Sequence, residues 1–96
     1  MAKIIWTELA LDDLQSIYEY ISKDSVTYAS NQVERIIFRV EQVKDFTKSG
    51  RMVPEFQIEN LRELIEGSYR IVYILNSTDS VAIVRVHHSA KSLDKI

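Results

Sequence analysis

The chain has 96 residues, of which 46% are apolar, and its formal net charge is -2. This length corresponds to a single domain, residues 1–96, close to the lower limit for a self-sufficient hydrophobic core. The absence of cysteine excludes disulfides, thiolate nucleophiles and cysteine zinc sites. It is also typical of a reducing compartment, so we expect the protein to be cytoplasmic.

The distribution of charge gives no general support for nucleic-acid binding. Residues 1–48 contain six Lys+Arg and eight Asp+Glu, and residues 49–96 contain six of each. Any site for a polyanion must therefore be a local cluster of cations and not a field of the whole molecule. No apolar run approaches the ~18 residues that a membrane span requires, so we expect no membrane segment.

The first half of the sequence predicts a strand and two amphipathic helices. Residues 1–6 alternate weakly and are predicted as a strand. Thr7 and Ser25 stand where helix N-caps belong, and Gly50 follows the last periodic residue. Apolar residues recur at three- and four-residue spacing, which predicts a helical hairpin over residues 7–49. The predicted buried stripes are Ala10, Leu14, Ile17, Tyr18 and Ile21, then Ala29, Val33, Ile36, Ile37, Val40, Val43 and Phe46. The predicted solvent side of the first helix is Asp12, Asp13, Gln15, Ser16 and Glu19.

The second half predicts a small sheet. Residues 50–60 are predicted as an ordered loop over the sheet edge, residues 61–88 as three antiparallel strands, and residues 89–96 as a polar tail. The strands are rich in β-branched and aromatic residues, and turn residues separate them. The order β-α-α-β-β-β predicts an α+β fold with both helices on one face of an antiparallel-rich sheet. We expect the other face to be open to a binding partner.

Cations inside these apolar strands are the candidate functional residues. Arg62, Arg70 and Arg85 are candidates for binding a target or a phosphate. If the register brings Arg70 and Arg85 to one surface, they form a guanidinium pair suited to phosphate or carboxylate. The alternative is that each arginine pairs with a nearby glutamate (Glu63, Glu66) and extends over the sheet.

The adjacent histidines are candidates for proton transfer, because the ordinary pKa of histidine is ~6.5. Strand alternation places Arg85 and His87 on one face and Val84, Val86 and His88 on the other. The two histidines therefore cannot chelate one metal from a regular strand. We expect no metal site and no cofactor. The alternative reading of each histidine is an ordinary surface or hydrogen-bonded residue.

The sequence resembles the RelE/ParE superfamily of bacterial type II toxin–antitoxin toxins, and more closely its ParE branch. The ordered pieces that carry the resemblance are Trp6-Thr7, Ala10, Asp13-Leu14, Ile17, Tyr20-Ile21, and residues 50–55 (GRMVPE), 62–64 (REL), 69–73 (YRIVY) and 85–91 (RVHHSAK). The resemblance implies an antitoxin partner encoded beside the toxin, whose C-terminal segment covers the sheet surface. It also implies a possible heterotetramer of two toxins and two antitoxins.

The resemblance implies two possible targets. ParE-like members are known to poison DNA gyrase by binding, whereas RelE-like members cleave messenger RNA on the ribosome. The first hypothesis is a ParE-like plasmid-stabilisation toxin that is not an enzyme. The alternatives are an endoribonuclease with Arg70, Arg85, His87 and His88 as catalytic residues, or an inactive toxin-fold protein that only binds an antitoxin. Residues 50–55 and 62–64 favour the first hypothesis, and so does the low net charge.

Overall fold

The computed structural model describes residues 2–76, 79–90 and 93, and within them it has the predicted α+β architecture. The elements in chain order are β1 (Lys3–Trp6), α1 (Glu8–Ser22), α2 (Val26–Gln42), β2 (Arg51–Met52), β3 (Leu61–Glu66), β4 (Tyr69–Leu75) and β5 (Ser80–His88). Neither described helix is both long and apolar enough to cross a bilayer.

The described strands form one five-stranded sheet in the order β1-β5-β4-β3-β2. The predicted meander is confirmed, since β3, β4 and β5 pair antiparallel. β1 joins the far side of β5 in parallel and covers only the first part of that strand, from Ser80 to Ile83. The predicted loop at residues 50–60 contributes the short edge strand β2, which pairs with β3.

Both predicted N-caps are present. The Thr7 hydroxyl accepts a hydrogen bond from the Ala10 amide at 3.2 Å, and the Ser25 hydroxyl accepts one from the Tyr28 amide at 3.1 Å. Each bond satisfies one of the amides that a helix start leaves without a partner. Thr7 also donates to the Ile83 carbonyl at 2.8 Å, which fixes the start of α1 against β5.

The second helix ends at Gln42, earlier than the predicted end at Gly50. Phe46, predicted as the last buried residue of the stripe, is 68% exposed. The segment after the helix is held by Tyr73, whose hydroxyl donates to the Thr47 carbonyl and accepts from the Gly50 amide, both at 2.9 Å. These tertiary hydrogen bonds replace the helical ones that the apolar spacing predicted.

The helices pack on one face of the sheet, as predicted. The residues of this core are Ala2, Ala10, Leu14, Ile17, Ile36, Val40, Val43, Leu64, Ile71, Tyr73, Val81, Ile83 and Val86. Six of the twelve predicted stripe residues lie in this core and Ile21 packs against it, but Ile37 is 42% exposed. α1 contacts β5, while α2 contacts β3.

The opposite face is not open, contrary to the prediction. The cluster on this face is Val53, Leu61, Val72 and Leu93, with Phe56, Ile74 and Val84 packed against it. Val53 and Phe56 come from the predicted loop, and Leu93 comes from the predicted tail. The loop is too apolar to remain in water, so it folds onto the strands it was expected to leave bare. Ile65, at 45% exposure, lies on the part of this face that stays accessible.

A bulge in β5 overturns the predicted sorting of its side chains. Pairing with β4 passes from Arg85 directly to Ile83, so Val84 is an extra residue in β5. Val84 packs in the cluster away from the helices, whereas Val86 is in the helix-side core. The prediction that Val84, Val86 and His88 share one face is therefore wrong, because a bulge shifts the alternation by one residue. Lys91 and Lys95 of the predicted tail lie outside the described residues.

Candidate functional site

Arg70, near the start of the middle strand β4, is bound by two carboxylates. It is 6% exposed. Its Nε donates to Glu63 at 2.6 Å, and its Nη1 and Nη2 donate to the two oxygens of Glu55, each at 2.6 Å. A planar guanidinium matches a carboxylate in this two-bond arrangement. The pairing with Glu55 raises the pKa of Arg70 above its ordinary value.

Glu63 is the buried anion of this cluster. Its side chain is fully buried, yet it accepts from Arg70 and from Arg51, both at 2.6 Å. A buried carboxylate stays charged only when cations and hydrogen bonds replace its lost hydration. Its neighbours in β3 on the same face are Leu61 and Ile65. A carboxylate between two apolar residues on one face of a strand is therefore the feature of the sequence that indicates this buried ion pair.

Glu55 joins the loop, the sheet and the tail. Besides Arg70, it accepts a hydrogen bond from the Leu93 amide at 3.1 Å. The hydrogen bonds from Arg70, and then that from Leu93, lower the pKa of Glu55 from 4.5 to about 2. Glu55 was not predicted as a site residue, because its partners come from distant parts of the chain.

Arg85 binds a different carboxylate, on the first helix. Its Nε donates to Asp13 Oδ2 at 2.8 Å and its Nη2 to Asp13 Oδ1 at 3.3 Å. Asp13 Oδ2 also accepts from the Val86 amide at 2.9 Å. The pairing with Asp13 raises the pKa of Arg85. Asp13 was predicted on the solvent side of α1, but it lies beside the edge of β5 that β1 leaves uncovered.

The guanidinium groups of Arg70 and Arg85 thus bind separate carboxylates. The predicted guanidinium pair, facing one anion, is not formed by the described contacts. The alternative, that each arginine pairs with a nearby glutamate, holds for Arg70 with Glu63, whereas Arg85 pairs with Asp13, which was not named. Arg62, the third candidate, instead donates to the backbone carbonyls of Glu59 at 2.7 Å and Gly50 at 3.2 Å. It holds the loop at residues 50–60 to the sheet edge.

The two histidines lie at the end of β5, where β1 no longer covers it. His87 is opposite Arg70 in the sheet register, and His88 is opposite Tyr69. The His88 ring meets the Tyr69 ring edge to face, with 5.5 Å between centroids, and its Nδ1 accepts from the Ala90 amide at 3.1 Å. No group of three or more His, Asp or Glu residues in the described ranges could hold a metal ion.

A groove between α1 and the end of β5 brings part of the predicted site together. It is lined by Asp13, Ser16, Ile17, Tyr20, Tyr69, Arg85, Val86, His87, His88 and Ala90. Burial, and then the nearby Tyr20 hydroxyl, raise the pKa of Tyr69. Arg85, His87 and His88 therefore share this groove, whereas Arg70 and Arg62 are outside its lining.

Comparison with known proteins identifies the family. A sequence profile described as "ParE toxin of type II toxin-antitoxin system, parDE" matches residues 4–93. Toxin RelE2 of Caulobacter vibrioides is 29% identical over 91 residues, which cover 95% of this chain and 99% of that protein.

Solved structures show the same fold. A chain of the chromosomal ParDE toxin–antitoxin system of P. aeruginosa superposes with a TM-score of 0.75 at 22% identity, covering 92% of this chain and 96% of that one. The YoeB/ParE toxin of Agrobacterium tumefaciens gives 0.63 at 17% identity, covering 90% and 96%. The toxin–antitoxin complex RelBE2 of Mycobacterium tuberculosis gives 0.56 at 19% identity, covering 91% and 96%.

Together, the profile that matches residues 4–93 and the shared fold establish that this chain belongs to the ParE toxin family of type II toxin–antitoxin systems, within the RelE/ParE superfamily.

Proposed function

We propose that this protein is a cytoplasmic toxin that stops growth by binding DNA gyrase and is neutralised by an antitoxin encoded beside it. The observation that supports gyrase as the target is that the guanidinium of Arg70 binds two carboxylates of its own chain. The bonds from its Nε, Nη1 and Nη2 go to Glu55 and Glu63. A nuclease needs cations directed at the charge that develops on the phosphate. This arginine is directed at carboxylates of its own chain.

The charge balance of the cluster supports the same choice. Arg51 and Arg70 face Glu55 and Glu63, so two cations are matched by two anions. Arg85 is matched in turn by Asp13. A surface with paired charges attracts the phosphates of a ribosome-bound message weakly, whereas it is compatible with a protein–protein interface. We therefore favour gyrase over the ribosome as the target.

The gyrase assignment is tested with purified components. The chain is titrated into supercoiling and cleavage-complex assays with gyrase, in the presence and absence of the product of the neighbouring open reading frame. We expect inhibited supercoiling or trapped cleavage complexes, reversed by that product. No effect of the toxin at high micromolar concentration would rule out gyrase as the target.

A second candidate function is a ribosome-dependent endoribonuclease, and the groove beside α1 is the observation that favours it. Arg85 could stabilise phosphate charge there, while His87 or His88 transfers a proton. Primer extension on translated messages tests this function, with Arg85→Ala compared against Arg35→Ala on the exposed face of α2. New 5′ ends that disappear in Arg85→Ala and persist in Arg35→Ala would favour the nuclease.

An expression experiment separates a toxin from an inactive relative. Induction of the wild-type chain without its antitoxin is expected to arrest growth, and co-expression of the antitoxin is expected to restore it. Unchanged growth, with soluble protein present, would leave only the third alternative, an antitoxin-binding protein without toxicity. Size measurement of the co-expressed complex tests the proposed assembly of two toxins and two antitoxins.

A further inference from the structure

Glu55 covers the solvent-facing side of the Arg70 guanidinium. The Nε bond of Arg70 goes to Glu63, whose side chain is fully buried. The Nη1 and Nη2 bonds go to Glu55, whose side chain is 29% exposed. Arg70 itself is buried, so Glu55 stands between its Nη donors and water.

The two Nη donors are oriented by the sheet and not by Glu55. Arg70 lies on β4, which is paired on both sides, with Ile65 of β3 and His87 of β5 opposite it. Glu63 fixes the Nε end of the side chain from the neighbouring strand. Glu55, by contrast, belongs to the loop after β2. The strands therefore present a fork of two N–H groups, and the loop supplies the anion that fills it.

This fork has a geometry that phosphate groups also fit. A guanidinium donates two parallel hydrogen bonds to two oxygens of a carboxylate or of a phosphate. The cluster of two arginines and two glutamates would carry one net positive charge without Glu55. A buried cation with two unpaired N–H groups strongly favours a replacement anion, because it has lost its hydration.

The contacts of Glu55 keep such an anion out. Glu55 is held by two hydrogen bonds from Arg70 and one from the Leu93 amide. Because Glu55 is tethered to the same chain, free phosphate must compete with a group of high effective concentration. We propose that Glu55 is a specificity-determining residue whose carboxylate permanently fills an oxyanion site on Arg70, so that phosphate groups are excluded from this face of the sheet. The proposal requires no movement of Glu55.

This inference deepens the proposed function, because it names the residue that makes this face unsuited to a phosphate backbone. Its significance for the choice of gyrase rests on that proposed function. The binding of phosphate, however, is measured without gyrase and without the ribosome. Failure to inhibit gyrase would refute the proposed function without affecting phosphate binding, so the two failures are distinguishable.

The test titrates inorganic phosphate into the full-length wild-type protein, Glu55→Ala and the matched control Glu59→Ala, which changes an exposed glutamate of the same loop. The NMR signal of the Arg70 Nε–H group is followed at constant ionic strength. We expect phosphate to bind Glu55→Ala at least about tenfold more tightly than the wild type, because the fork is empty, while Glu59→Ala behaves as the wild type. No shift of this signal in folded Glu55→Ala, or equal affinities in all three proteins, would overturn the proposal.

A second variant serves if Glu55→Ala is unstable. Glu55→Gln keeps the length of the side chain and removes its charge. An anion that binds only the folded state stabilises it, so phosphate in place of chloride should raise the urea midpoint of Glu55→Gln by more than that of the wild type. An equal effect on the two proteins would contradict the proposal.

A short single-stranded RNA distinguishes phosphodiesters from free phosphate. We expect the RNA to shift the same Arg70 signal in Glu55→Ala and not in the wild type. A shift by inorganic phosphate alone would support the proposal with free phosphate as the excluded ligand, whereas equal shifts by RNA in both proteins would contradict the exclusion by Glu55.

Discussion

Glu55 and Arg70 form a two-bond ion pair in which both hydrogen bonds are 2.6 Å long. The carboxylate comes from the loop after β2, and the guanidinium comes from the second residue of β4. The pair therefore attaches the loop to the sheet, and through the Leu93 amide it also attaches the tail. Its strength depends on the ionised state of Glu55.

The first prediction concerns acid stability. The pKa of Glu55 is lowered from 4.5 to about 2 in the folded protein, so the unfolded chain binds more protons between these values. The stabilisation from this ionisation is complete above about pH 5 and is lost as the pH falls towards 2. Glu55→Gln cannot ionise, and its free energy of unfolding should fall less between neutral pH and about pH 3 than that of the wild type.

Urea denaturation across this pH range measures the difference. Glu59→Gln, at an exposed position of the same loop, is the matched control and should keep the wild-type pH dependence. Parallel profiles for the wild type and Glu55→Gln would show that the pair with Arg70 does not govern acid stability.

The second prediction concerns the buried charge of Glu63. Arg70→Met leaves this fully buried carboxylate with Arg51, whose side chain is 63% exposed. Removal of one partner from a buried ion pair costs ~3–5 kcal/mol of unfolding free energy. The double variant Arg70→Met with Glu63→Leu removes both charges, and we expect it to lose less than the sum of the two single variants.

Equilibrium unfolding of the four proteins in this cycle gives the coupling energy. Strict additivity would mean that the two side chains do not stabilise each other. Arg62→Ala serves as a control for a strand arginine that donates to backbone carbonyls and not to a carboxylate.

The elements of this fold could be predicted from local chemistry, whereas the pairs of Arg70 with Glu55 and of Arg85 with Asp13 could not. Thr7 and Ser25 were recognisable as caps because capping depends on residues a few positions away. The placement of Val84 depends on a bulge, which arises from how β5 pairs with β4. The alternation of side chains along the sequence of β5 does not indicate this bulge. Leu93 in a polar tail gave no periodic signal at all.

The candidate site could likewise be predicted only in part from the sequence. Arg70 and Arg85 were found because cations are unusual in apolar strands. Their partners Glu55 and Asp13 lie 15 and 72 residues away in sequence, and only the tertiary fold brings them together. The expectation of an open sheet face failed for a related reason: the apolar residues of the loop indicated burial, but the sequence did not indicate against which surface.

The third prediction concerns the close packing at Gly50. A Cβ at this position would lie 2.6 Å from the Glu63 carbonyl oxygen and 2.7 Å from the Tyr73 hydroxyl. The carbonyl belongs to a paired central strand and cannot move aside, so Gly50→Ala should cost about 1–3 kcal/mol of unfolding free energy or more. The Tyr73 hydrogen bonds to this segment would be lost with it.

Gly67 provides the comparison. Its φ is +59°, but the nearest atom to an added Cβ is Gln32 Oε1 at 3.6 Å. Gly67→Ala therefore adds only backbone strain, about 1–2 kcal/mol. Thermal unfolding should show the larger loss for Gly50→Ala, together with higher exposure of Tyr73 to solvent quenchers. A larger loss for Gly67→Ala would mean that the segment around Gly50 can move to accommodate a methyl group.

The fourth prediction concerns the uncovered end of β5. Asp13 accepts the Val86 amide on this edge and binds Arg85 with the same carboxylate. Asp13→Ala removes both interactions and leaves an unpaired strand edge beside the groove. Hydrogen exchange of the Val86 amide should become faster, while the amides of β4 that face β3 should keep their protection.

Asp12→Ala, at the adjacent exposed position of α1, is the matched control. Because Asp13 also neutralises Arg85, its loss should increase binding of a short RNA to the groove if the second candidate function is correct. Equal exchange rates at Val86 in the two variants would show that the carboxylate does not protect this edge.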